Sequence, residues 1–168
     1  MLFRSLAAKG YEVGKSLIED SMLEEAKELV ANPKIIIPES VIVSISADEP
    51  GRITSANSIQ ENEAIFDIAP ASFVDLEPII MNAGTILWNG PLGFFEKENF
   101  FAGTAMIAEM IISSKGFSVA GGGDTISAAE KAGVLDSLDY VSTAGGAFLE
   151  FMEGKKLPAL EALIDKVN

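Results

Sequence analysis

Apolar positions recur along the chain in two alternating rhythms. Leu17, Ile18, Met22, Ala26, Leu29 and Val30 fall on one helical face with Glu and Lys opposite, which predicts a first amphipathic helix. The next stretch, "KIIIPESVIVSI" (Lys34–Ile45), carries two short apolar runs split by Pro38 and reads as two strands. Ser46–Asn62 is polar and turn-rich, an excursion of loops or small strands. Pro70–Asn82 then reads as a helix, with Phe73, Val74, Leu76, Ile79 and Ile80 apolar. "GTILWNG" (Gly84–Gly90) is a buried strand ending in a turn, Ala102–Ser114 a helix and Phe117–Ala120 a strand. Thr125–Ala132 is a helix, Asp139–Thr143 a strand, and Ala147–Met152 and Leu157–Lys166 are closing helices. Strands with continuous apolar runs alternating with helices predict an α/β fold, its mainly parallel sheet covered on both faces.

In such a sheet ligands gather at the carboxyl ends of the strands, so the turns there are the places to look for chemistry. Three are unusual: "NGPLGFFE" (Asn89–Glu96), "GGGDT" (Gly121–Thr125) and "TAGGA" (Thr143–Ala147). If the sheet is parallel, all three lie on one rim. Glycines after strands often only permit positive φ or close packing, and "TAGGA" alone says no more. "GGGDT" says more, because bare peptides leading into a helix present free N–H groups at the positive end of its dipole. Asp124 is then open to two readings. It is an N-cap, as Asp often is before a helix, or it holds a Mg²⁺ ion beside bound phosphates. Thr125 could donate its hydroxyl or backbone N–H to a phosphate oxygen. Glu96 is either a solvated loop carboxylate or an acceptor for ribose hydroxyls. Phe94 and Phe95 read as core residues, with one available to wall a base. "GYEVGKS" (Gly10–Ser16) is one residue short of a phosphate-binding loop and follows no convincing strand, so Lys15 and Ser16 read as the start of the first helix.

Composition narrows the field. The chain has 168 residues, 48% of them apolar, enough for a core of one-domain size. No apolar run approaches membrane-spanning length, and the N-terminus lacks a signal-peptide layout, so the expected location is cytoplasmic. There is no cysteine, and no histidine to serve as general base or metal ligand. Twelve Lys and Arg against 25 Asp and Glu give a net charge of −13, which should repel nucleic acid and anionic membrane. A nucleotide would bind only with a metal ion or another basic surface supplying positive charge.

Three segments carry a resemblance: "TILWNGPLGFFEKENFFAGT", "SVAGGGDTISAAEKAG" and "DYVSTAGGAFLEFMEGKKLPALEAL". Together, in this order, they resemble the C-terminal part of the phosphoglycerate kinase family, and "AKGYEVGKSLIED" is similar to a segment of the same family. The resemblance implies a Rossmann-like three-layer α/β/α fold with a mainly parallel sheet, incomplete relative to the family domain. It makes residues 1–168 part of the C-terminal nucleotide-binding domain, with the N-terminal phosphoglycerate-binding domain absent. It implies Mg²⁺-dependent phosphoryl transfer between 1,3-bisphosphoglycerate and ADP, giving 3-phosphoglycerate and ATP in glycolysis. By matching motif, Glu96 would bind the ribose, and Gly90, Leu92 and Phe95 would line the nucleoside site. Gly122, Gly123 and Thr125 would cradle phosphates, Asp124 would engage the Mg²⁺, and Gly145 and Gly146 would face the transferring group at a helix N-terminus.

The chain departs from the family pattern at Ala144, Ile65 and Ala69, each standing where the family has glycine; the Ile65 position bears on adenine. Family sheets run in the order 3-2-1-4-5-6, and this chain begins after strand 2, so a partner or a rearranged sheet edge is expected. Leu157, Leu160, Leu163 and Ile164 are expected to be partly exposed or buried by self-association, whereas the complete enzyme would be a monomer. The fragment alone is expected to be inactive. Two other classes stand beside this reading, a non-catalytic nucleotide-binding module and a structural remnant of the fold.

Overall fold

A computed structural model describes residues 2–18 and 20–164. The chain divides into two units, Met1–Ile79 with Leu92–Ile107, and Ile80–Pro91 with Ala108–Asn168.

The first unit is built on a three-stranded antiparallel sheet. Strands β1 (Ser40–Ser44), β2 (Arg52–Ser55) and β3 (Ala64–Ile68) lie in the order β2-β1-β3. Antiparallel pairing follows from connection length, since the link 45–51 is far short of the dozen or so residues a parallel crossover needs. Val41 and Val43 point to one face of β1 and are buried with Leu6, Val13, Ile37, Ala56 and Ile65. The ladder between β1 and β3 pairs Ile42 with Asp67 but Val43 with Ile65, which leaves Phe66 as the extra residue of a bulge.

Several elements differ from the sequence expectation. Helix α1 (Leu2–Ala8) falls in a stretch with no predicted element. The predicted amphipathic helix is shorter, α2 (Leu23–Val30) after a 3-10 turn at Asp20–Met22. Ahead of it, Gly14 adopts φ 56° and the Ser16 hydroxyl accepts the Ile65 N–H (2.9 Å). Ser16 therefore fastens the chain to β3 instead of starting a helix, and Leu17 is left 90% exposed. The run Ile35–Ile37 forms no strand, because no neighbouring strand pairs with it among the described residues. Ile37 enters the core while Ile36 is 47% exposed. The helix expected over Pro70–Asn82 is a 3-10 turn at Pro70–Phe73 and a short α3 (Glu77–Met81). Pro78 has no N–H to give the Val74 carbonyl, so one continuous helix cannot form there.

The second unit holds the parallel sheet. Strands β4 (Thr85–Trp88), β5 (Phe117–Gly121) and β6 (Tyr140–Ser142) run in the order β4-β5-β6. Helix α4 (Ala102–Ser113) precedes β5, and α5 (Gly123–Lys131) connects it towards β6. This is the mixed α/β, Rossmann-like arrangement that the strand–helix alternation predicts. Trp88, Ser118 and Ala120 are buried on one face. On the other face Phe117 (52%) and Tyr140 (54%) stay open at the amino ends, whereas at the carboxyl end the Phe148 ring packs directly on Gly121. The strand starts are tied together by Asp139, whose carboxylate accepts both the backbone N–H and the hydroxyl of Ser118 (2.8 Å each).

Helices α6 (Gly146–Met152) and α7 (Pro158–Ile164) close the described chain. Leu160, Leu163 and Ile164 are exposed and Leu157 half-buried in the single chain; residues 165 and 166 of the predicted last helix lie outside the described residues. No helix among the described residues is long and apolar enough to cross a membrane.

Candidate functional site

The carboxyl ends of β4, β5 and β6 open into the three glycine-bearing turns, and because the strands are parallel these ends share one rim. One hydrogen bond steadies the first turn and another joins it to the second. Trp88 Nε1 donates to the Gly90 carbonyl (2.9 Å), and the Gly90 N–H donates to Thr125 Oγ1 (2.7 Å). Gly90 needs its φ of 104° to make this turn. Thr125 is buried, so its hydroxyl fastens the loop after β4, and its backbone N–H is the group it adds to the helix start.

Helix α5 begins without a side-chain cap. Its N-cap is Gly122, at φ 95° and ψ 143°, and no side chain hydrogen-bonds to the first-turn amides. Asp124 sits one residue inside the helix start and is exposed. Among the described residues no hydrogen bond or ion pair engages its carboxylate. The capping reading of Asp124 therefore fails, because Gly122 holds the cap position. Gly123 is open as well, with no atom near enough to contact an added Cβ. The result is a patch of bare N–H groups at a positive dipole end with one free carboxylate beside it. No three carboxylates converge into a metal site among the described residues. Asp124 could thus supply one oxygen to a Mg²⁺ whose other ligands are phosphate and water, the arrangement this ion favours.

The third turn carries Gly145, φ 56°, as N-cap of α6, and Gly146 as its first residue; neither has an atom within contact range of an added Cβ. Ala144, by contrast, has negative φ, so a glycine is not needed there. None of the three turns contains Lys or Arg within Asn89–Pro91, Gly121–Thr125 or Thr143–Ala147.

Leu92, Phe95 and Glu96 belong to the first unit. The N–H groups of Leu92 and Gly93 donate to Thr104 Oγ1 (3.2 and 3.4 Å), and the Phe94 N–H donates to the Phe66 carbonyl (2.7 Å). Phe95 is buried and Glu96 exposed. Phe94 is 39% exposed and stacks on Phe66 with ring centroids 6.2 Å apart; Phe66 in turn stacks on Phe100 at 4.7 Å. Ile65 is packed in the core of the antiparallel sheet, and Ala69 is fully buried.

Sequence reasoning missed Asp67 and Thr104, both fully buried and both holding this loop's surroundings. Asp67 Oδ2 accepts the Gly103 N–H (2.8 Å) and Oδ1 the Ile68 N–H (2.8 Å). Burial pushes this carboxyl up to about 6 against the opposing pull of those two amides. Its one visible signal in the sequence is a lone carboxylate inside the apolar run "AIFDIA".

The sequence matches the family phosphoglycerate kinase over residues 1–155. The chain belongs to the phosphoglycerate kinase family. Solved structures of family members agree. Phosphoglycerate kinase from Coxiella burnetii is 42% identical, with a TM-score of 0.88 over 94% of this chain and 43% of its own. The enzyme from Pyrococcus horikoshii OT3 is 31% identical, with a TM-score of 0.82 over 95% of this chain and 42% of its own. The chain thus spans less than half the length of these two family members.

Proposed function

We propose that this chain is the nucleotide-binding part of an enzyme that moves a phosphoryl group between 1,3-bisphosphoglycerate and ADP, giving 3-phosphoglycerate and ATP. The observation that carries the reading is the uncapped start of α5, where first-turn amides and a partnerless Asp124 stand exposed together. The phosphates sit on the amides of Gly123, Asp124 and Thr125, with Gly122 giving the backbone room to approach. Asp124 holds the Mg²⁺, which when bound neutralises phosphate charge. Glu96 accepts the ribose hydroxyls, Leu92, Phe95 and Gly90 line the nucleoside, and Gly145 and Gly146 turn amides toward the transferring group. Phosphoryl transfer depends on positioning and charge neutralisation, so a chain without histidine is no obstacle.

The three turns offer no cation to the moving group. Turnover therefore depends on a basic phosphoglycerate-binding domain, and the 168 residues alone bind Mg-ADP without catalysis.

Calorimetric titration of the 168-residue chain with ADP, with and without Mg²⁺, tests the metal role. Asp124→Asn should weaken Mg-ADP binding about tenfold, in line with losing one charged contact, and should not weaken metal-free ADP binding, because it removes a negative charge from beside the phosphates. An unchanged magnesium dependence would show that Asp124 does not hold the ion.

A further inference from the structure

Asp67 has no place in the chemistry above, yet it is the most enclosed carboxylate described, 1% exposed. Three features locate its contacts. Its Oδ2 takes the N–H of Gly103, the second residue of α4, where a helix start favours negative charge. An added Cβ at Gly103 would collide with Oδ1, and an added Cβ at Gly93 would collide with the same oxygen. Two glycines thus close on one carboxylate, one from α4 and one from the Leu92–Glu96 loop. The adjacent Phe66, displaced by the bulge in β3, takes the Phe94 N–H on its carbonyl and the Phe94 ring on its own ring. Enclosure works against the charge and raises the pKa, and only the Gly103 and Ile68 amides oppose it.

We infer that Asp67 is a positioning residue, a spacer between α4 and the Leu92–Glu96 loop that sets this loop for the nucleoside of a nucleoside diphosphate. This rests on the nucleotide reading above and assigns the loop's placement to a residue outside the glycine turns. An asparagine has the same shape but only one acceptor oxygen. It can satisfy Gly103 or Ile68 and must turn its NH₂ toward the other donor, so the loop loses a fixed support while the core stays filled.

The experiment compares Asp67→Asn with the parent chain, titrating each with Mg-ADP and with Mg-pyrophosphate. Pyrophosphate engages only phosphate-binding groups. ADP affinity should fall about tenfold or more, as displaced binding groups lose contact, while pyrophosphate affinity holds. Equal losses for both ligands, or no loss for ADP, would overturn the inference. Hydrogen exchange without ligand reads the loop directly: the Leu92, Gly93 and Phe94 amides should exchange faster in Asp67→Asn. Unchanged protection of those amides overturns the inference whatever the titrations show. A parent chain that binds neither ligand removes the nucleotide reading, and the exchange result then decides the spacer role alone. Should Asp67→Asn fail to fold, Thr104→Val removes the acceptor of the same loop's amides and takes its place. Thr104→Ser is then the variant that restores ADP binding if the loop's placement is the cause.

Discussion

Gly14→Ala separates two readings of "GYEVGKS" by a measurable margin. The segment is near in spacing to a phosphate-binding loop, yet in the fold Gly14 lies against Gln60 and Glu63, in the turn that leads into β3. Its φ is 56°, a region that costs an L-residue about 1–2 kcal/mol. An added Cβ would strike the Glu63 carbonyl oxygen and lie 2.7 Å from that of Gln60, and backbone atoms cannot swing aside as a side-chain tip can. Overpacking of this kind costs about 1–3 kcal/mol more. The Lys15 N–H also donates to Glu63 O (2.7 Å), so relief by moving the turn sacrifices a hydrogen bond. Gly14→Ala should therefore destabilise the chain by roughly 2–5 kcal/mol. For a protein of this size the melting temperature should fall by about 5–15 °C. Lys15 is exposed, and Lys15→Ala should stay within about 0.5 kcal/mol of the parent. Circular-dichroism melts with a parallel Mg-ADP titration check both variants. If Gly14→Ala melts with the parent and either variant loses nucleotide affinity, the segment is a phosphate loop and the structural role is refuted.

Glu96→Ala should weaken ADP binding by about 1.5–3 kcal/mol, the range for hydrogen bonds to a charged group. The parent should discriminate against a 2′,3′-dideoxy analogue and the variant should not; retained discrimination would exclude Glu96 as the ribose partner. Asp139 supplies a pH signature. Ser118 donates its backbone N–H and its hydroxyl to this carboxylate and holds it below its ordinary value of 3.8. That support is present above the ordinary value and is lost as pH falls through the lower folded value. Acid titration of unfolding should therefore show a steeper loss below about pH 4 in the parent than in Asp139→Asn, and identical profiles would refute the linkage.

The rim of the parallel sheet was legible because its signals are local. An apolar strand, a glycine turn and a helix follow one another within a dozen or so residues at "SVAGGGDTISAAE", and the fold needs only parallel pairing to bring such turns to one edge. What escaped depends on distant partners. Ile35–Ile37 has the composition of a strand, but strand formation also requires a neighbour, and composition carries no information about whether one is present. The helical face drawn through Leu17 and Ile18 has the right spacing, but Ser16 is fastened to Ile65, 49 positions away, and this contact overrides periodicity. Even at the glycine turn the cap was ambiguous. Asp124 is a good capping residue by type, and only the fold shows Gly122 at the cap, so that the helix begins two residues earlier.

Asp67 shows the same limit at a site where energy can be compared with geometry. Burial raises its pKa from 3.8 to about 6, which makes the ionised form cost roughly 3 kcal/mol at neutral pH. An isosteric amide would escape most of that cost, but its NH₂ would face a buried backbone N–H left without an acceptor, which costs about 1–3 kcal/mol. Asp67→Asn is consequently expected to fold about as stably as the parent. Core packing alone therefore gives no reason for a carboxylate at this position. Its geometry does, because two amides and two glycines converge on it and only a group with two acceptor oxygens serves both donors at once. Stability is thus nearly indifferent to the choice of acid or amide, whereas loop placement is not. A variant that keeps its melting temperature while losing ADP selectivity would display that difference in a single protein.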